Sequence, residues 1–137
     1  MTERRIVLDA SAVVAWARAE QGADIVGKLL PVAVIPAPNL AEALYIIRRH
    51  GHGMSRAELH LHILGMGALI EPFTEPDALR AAELIDLSRA NPASGGRTLS
   101  LGDAQCVAVA ERLGLPVCGD DRAWDAWPVR VPFRRFR

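Results

Sequence analysis

The chain of 137 residues predicts an α/β fold, a three-layer α/β/α sandwich with a mainly parallel central sheet. Short continuous apolar runs such as Ile6-Val7-Leu8 and Val32-Ala33-Val34-Ile35 have strand length and lack the alternation of a half-exposed sheet. Longer segments of helical periodicity alternate with them. No repeat, low-complexity block or composition break interrupts the pattern, which predicts a single domain over residues 1–137. Half of the residues are hydrophobic, enough to fill a core at this length.

The elements follow in order. Arg5-Ile6-Val7-Leu8-Asp9 reads as a buried strand ending on an acid, with Ser11 as the N-cap of a helix over Ala12–Ala19. Asp24–Leu30 is a short helix stopped by Pro31. Val32–Ile35 is the second strand, closed by Pro36 and Pro38. Asn39 and Glu42 fit a capping box that opens a helix running to Arg49. His50-Gly51-His52-Gly53 is a turn, and Ser55 starts a helix over Arg56–Met66. The histidines there, His60 and His62 included, stand two apart, and such pairs diverge on a helix, so the spacing opposes a zinc site.

Leu69–Phe73 reads as an edge strand, because Pro72 removes a ladder donor. Pro76–Arg89 is an amphipathic helix, and Asn91–Arg97 is a loop carrying Arg97. Ser100 and Asp103 repeat the cap-then-acid pattern before an apolar helix over Asp103–Leu113. Gly114 and Pro116 end it. Val117-Cys118 is a buried strand leading to Asp120-Asp121, and Arg122–Trp127 is a short helix or turn. Val129–Pro132 is a last strand, followed by a basic, aromatic tail over Phe133–Arg137.

Sixteen basic and sixteen acidic residues cancel, so no global charge pulls the chain toward nucleic acid or membrane. Fifteen of the cations are arginines, a side chain suited to bidentate phosphate contacts. Arg97 in its loop and Arg130, Arg134, Arg135 and Arg137 in the tail are candidate RNA contacts through phosphate, with Phe133 and Phe136 offering base stacking. Two cysteines in apolar runs, Cys106 and Cys118, read as buried free thiols in a reducing compartment. With no signal-like or membrane-length segment, a cytoplasmic protein is expected.

Asp9, Glu42, Asp103 and one of Asp120 and Asp121 each follow a strand or open a helix, on the edge where α/β proteins place their sites. Each alone is explained as a cap or turn residue. Together they pose an electrostatic problem, since two carboxylates about 4 Å apart repel by roughly 4 kcal/mol at an effective dielectric near 20. A helix N-terminus returns only about 0.3–1 kcal/mol per acid. Convergence of all four requires a divalent cation or a shifted pKa. Carboxylates without His or Cys suit Mg²⁺ or Mn²⁺, and the implied chemistry is phosphodiester hydrolysis.

Four segments, in this order and spacing, resemble the PIN-domain ribonucleases, close to the VapC-type toxins of toxin–antitoxin pairs. They are Val7-Leu8-Asp9-Ala10-Ser11-Ala12, Asn39-Leu40-Ala41-Glu42, Leu99-Ser100-Leu101-Gly102-Asp103-Ala104 and Asp121-Arg122-Ala123-Trp124. The resemblance implies a PIN-like sandwich and a Mg²⁺-dependent endoribonuclease, with Mn²⁺ able to substitute. It implies catalytic acids Asp9, Glu42, Asp103 and Asp121, of which Asp9 and Asp103 are the principal metal ligands. Ser11 and Asp120 are supporting residues. It also implies a small VapB-like antitoxin partner, an RNA substrate with tRNA among the candidates, and a homodimer. The sequence departs from the family at Gly119, where a Thr or Ser is usual, and at Asp120, an extra acid. Two other classes compete: a catalytically silent PIN-like binding module, and a phospho-receiver. The receiver is opposed by its missing lysine, since Lys28 lies in an early helix.

Overall fold

The structure, a computed structural model, describes residues 3–120 and 122–137. Five strands form one sheet in the order β3-β2-β1-β4-β5, with every pairing parallel. They are β1 (Ile6–Leu8), β2 (Ala33–Pro36), β3 (Leu69–Glu71), β4 (Val117–Gly119) and β5 (Phe133–Arg135). The helices are α1 (Ala10–Ala17), α2 (Ala23–Leu29), α3 (Ala37–Arg49), α4 (Arg56–Gly65), α5 (Glu75–Ala90) and α6 (Leu101–Leu113). The architecture is the expected α/β/α sandwich, with a sheet more uniformly parallel than expected. Among the described residues no helix is long and apolar enough to cross a membrane.

The central strands are apolar on both faces because both faces are covered. Ile6, Leu8, Ala33, Ile35 and Cys118 join one core with residues of α1 to α4. Val7, Val34 and Val117 join the other with α5, α6, Trp124 and Trp127. Val7 pairs with Val34 on one side and Val117 on the other, so the period-2 alternation stays in register across three strands. Both cysteines are buried free thiols, and burial, with Asp9 nearby, pushes Cys118 up to about 12.

Three local readings are corrected. Helix α1 starts at Ala10, and Asp9 rather than Ser11 is its N-cap. Helix α3 starts at Ala37, so Asn39 and Glu42 lie inside its first turns and form no capping box. Pro38 is tolerated there because the first turn has no acceptor for its missing N–H. The last strand is Phe133–Arg135 rather than Val129–Pro132. The aromatic tail therefore completes the sheet: Phe133 meets Trp124 at 4.9 Å between ring centres, and Phe136 is buried. The capping boxes at Ser55 and Ser100 form, and Gly114 adopts the left-handed cap at φ 68°.

Helices α5 and α6 are locked by an ion pair. Arg112 Nε donates to Asp77 Oδ1 at 2.9 Å, and its Nη1 donates to Glu71 at 3.1 Å. Burial pushes the Asp77 carboxyl up, but the bonds from Arg112 and Thr74 more than offset this and leave it below 3.8. Arg112→Ala strands a buried carboxylate and is expected to cost about 3 kcal/mol at pH 7, seen as a lower urea midpoint. A depressed carboxyl pKa stabilises the fold above the unfolded value, so the difference between the two proteins should fade as pH falls below 3.8.

Candidate active site

Asp9 follows β1 and is 5 % exposed. Its Oδ1 accepts from Ser11 Oγ at 2.7 Å and from Ala12 N at 3.0 Å, so the acid caps α1 while Ser11 fixes its orientation. Burial raises its pKa from 3.8 to about 7; the bonds from Ser11 and Ala12 oppose this, and the charges of Asp103 and Glu42 add to it. Glu42 is on the second turn of α3, and burial and then Asp103 raise its pKa above the usual 4.5. Asp103 sits in the first turn of α6, where its backbone N donates to Ser100 Oγ at 3.1 Å. Asp9, Glu42 and Asp103 thus come from three elements and repel one another, three of the four acids that the sequence reading grouped together.

Two glycines make room for these carboxylates. A Cβ on Gly119 would stand 2.3 Å from Asp9 Oδ2 and 2.8 Å from its Cγ. A Cβ on Gly102 would stand 3.0 Å from Glu42 Oε2. Glycine inside a helix is unfavourable, and at Gly102 in α6 the carboxylate it admits gives the reason. Asn39 was expected as a cap. Instead it is buried, and its Nδ2 donates to Gly102 O at 3.0 Å, clamping α3 against the start of α6.

A cavity of about 280 Å³ opens over the acids, lined among others by Asp9, Ser11, Asn39, Glu42, Asp103 and Arg137. A second, of about 370 Å³, is lined by Asp9, Ser11, Arg97, Asp103 and Asp120. Among the described residues no three His, Cys, Asp or Glu groups form a ready-made metal cage. The donor set nevertheless fits a hard cation, since Mg²⁺ keeps several waters and takes only one or two carboxylates directly. Gly119, where any Cβ would clash, and Gly102, where one would crowd Glu42, leave space for the carboxylates, and three repelling acids lower their energy on meeting positive charge.

The remaining expected site residues divide. Asp121 lies outside the described residues. Asp120 accepts from Arg137 Nη2 at 2.8 Å, and that bond, with Arg137 and Arg135 charge, lowers its pKa. Arg97 lines the second cavity, and Arg135 is paired in register with Gly119 at the same edge. Arg134 is paired with Cys118 and exposed. Arg130 lies elsewhere, on a cavity with Arg80, Glu111 and Arg112. His62 packs edge-on against Trp16, and His52 Nδ1 accepts from Met54 N at 3.1 Å, both away from the acids. Glu20 joins the acidic cavity although a loop glutamate carries no local motif, and Arg137, among the tail arginines read as RNA contacts, joins it too.

A family profile described as PIN domain matches residues 6–126. No curated protein matches the sequence. Solved structures are similar over nearly the whole chain. VapC20 of Mycobacterium tuberculosis, described as a sarcin-ricin loop cleaving toxin, is 19% identical with a TM-score of 0.67, over 93% of this chain and 99% of that one. FitAcB from Neisseria gonorrhoeae is 22% identical with a TM-score of 0.67, over 93% and 95%. DNA-bound VapBC from Salmonella typhimurium is 14% identical with a TM-score of 0.68, over 98% and 99%.

Proposed function

This chain belongs to the PIN domain family, and on that premise we propose that it is a metal-dependent endoribonuclease, the toxin of a toxin–antitoxin pair. The observation that carries the reading is the meeting of Asp9, Glu42 and Asp103 over one cavity, where burial and then mutual repulsion raise the pKa values of Asp9 and Glu42. Such an arrangement costs stability, and a bound cation converts that cost into affinity.

Asp9 and Asp103 would hold Mg²⁺ or Mn²⁺, with Glu42 and Asp121 completing the site or holding water. When bound, the ion polarises a phosphoryl oxygen and lowers the pKa of water. The chain supplies orientation. Ser11 donates to Asp9 Oδ1 and turns its other oxygen toward Gly119. The Ser100 box fixes the first turn of α6, and Asn39 fixes the distance between α3 and α6. No histidine lines the two cavities over the acids, so none is assigned as general base.

The similar structures include antitoxin complexes, which supports a small antitoxin as partner. RNA, with tRNA among the candidates, is the proposed substrate, and a cytoplasmic homodimer the proposed form. The test is incubation of the purified protein with single-stranded RNA in Mg²⁺, Mn²⁺ or EDTA. Cleavage is expected with either metal and not with EDTA, and Asp103→Asn should reduce it by a factor on the order of 10³. Near-wild-type cleavage by that variant would sink the proposal.

A further inference from the structure

Arg137 reads in the sequence as one of several tail arginines that could contact RNA, with nothing to tie it to the acids, yet it enters the acidic cavity. Its Nη2 donates to Asp120 Oδ2 at 2.8 Å, at the end of β4. Its Nη1 lies 3.6 Å from Glu20 Oε1 and 3.5 Å from Gln21 O, in the turn between α1 and α2. The guanidinium thus spans two segments that meet beside the acids. It also sits 5.0 Å from the ring centre of Phe136, which is buried.

The seat for this segment is built into the fold. Gly22 has φ 87°, and a Cβ there would meet Phe136 Cδ2 and the Phe136 carbonyl at 2.6 Å and Arg137 Cβ at 3.3 Å. Only glycine satisfies both the backbone angle and the contact. Two carboxylates and a buried ring hold the planar fork, so little side-chain entropy remains to be lost on binding. Its side chain keeps 24% of its exposure, and it faces a cavity where an approaching phosphate meets Asp9, Glu42 and Asp103.

We propose that Arg137 is a substrate-binding residue that takes a phosphate of the RNA strand adjacent to the one being cut. The inference rests on the reading of this site as an RNA-cleaving centre. An anion needs a fixed cation to pass Asp9, Glu42, Asp103, Glu20 and Asp120 around the two adjoining cavities, and Arg137 is bound to the last two. Asp120 then acts as a positioning residue that holds the guanidinium.

The test is RNA binding by fluorescence anisotropy across a KCl series. The probe is a labelled twelve-nucleotide single-stranded RNA, with Ca²⁺ in place of Mg²⁺. Arg137→Ala should flatten the slope of log K against log salt by about 0.7, one phosphate contact on a single strand. Arg137→Lys, which keeps the charge, should restore most of the slope. In cleavage assays Arg137→Ala should raise KM about tenfold and leave kcat within twofold, as for lost uniform binding. A lowered melting temperature with an unchanged slope would assign Arg137 a structural role and overturn the inference while leaving the nuclease reading intact. Absence of salt-dependent RNA binding by the wild-type protein would overturn both.

Discussion

Asp9→Asn is expected to abolish metal-dependent RNA cleavage, by a factor on the order of 10³ or more, and at the same time to stabilise the metal-free protein. The stability gain follows from the carboxyl pKa of about 7. Between 3.8 and about 7 the folded protein keeps a proton that the unfolded chain has already released. Stability of the metal-free protein therefore falls as pH rises through that window, to an upper limit of about 4 kcal/mol lost above it. Asparagine stays neutral throughout and its Oδ1 still accepts from Ser11 and Ala12, so the variant keeps the cap and escapes the cost. Melting curves in EDTA at pH 5 and pH 8 measure the effect. The wild type should melt lower at pH 8, the variant should not share that drop, and Mn²⁺ should raise the wild type alone. Equal pH dependence in the two proteins would place the destabilising charge elsewhere.

Gly119→Ser should be the second severe substitution, although it restores the residue class that PIN-like sequences resembling this one carry there. The new Cβ would stand 2.3 Å from Asp9 Oδ2. Neither partner yields easily. The backbone at this point is fixed by the bond from Asp9 N to Cys118 O at 3.1 Å and by the parallel register of Leu8 with Cys118. The carboxylate is fixed by Ser11 and Ala12. Overpacking of this kind costs about 1–3 kcal/mol. A displaced Asp9 should also lower kcat by roughly 10², since small misplacements at a reacting centre have effects of that size. Urea denaturation and single-turnover cleavage measure the two losses, and a fully active variant would show that Asp9 has another place to stand.

The departure at Gly119 therefore has a steric cause in this chain, which the sequence alone presents only as a missing hydroxyl. Asn39 shows the same division. With Glu42 three residues on, it satisfies the pattern of a capping box, but Pro36 starts α3 earlier and turns Asn39 into a clamp on Gly102. Ser11 was read as a cap and is instead the donor that orients the cap. In each case the local pattern named a residue that matters and gave it the wrong partner. Hydrogen-bonding side chains choose partners by distance in space, and a cap motif reports only distance along the chain.

Strand length, helical periodicity and terminating Gly and Pro determined the layers, the buried central strands and the edge position of Leu69–Glu71, because burial on two faces or one imposes its own residue pattern. The same signals placed Asp9 and Glu42 close after strand ends and Asp103 at a helix start that follows a loop, and parallel topology gathers the strand ends at one edge. Tertiary structure alone decided the rest. It moved the last strand to Phe133–Arg135, since Phe133 has Trp124 to pack on and Phe136 a place in the core. It also brought Glu20 and Arg137 to the acids from opposite ends of the chain. No local residue pattern encodes that meeting, because it depends on two segments ending side by side once β5 has joined the sheet.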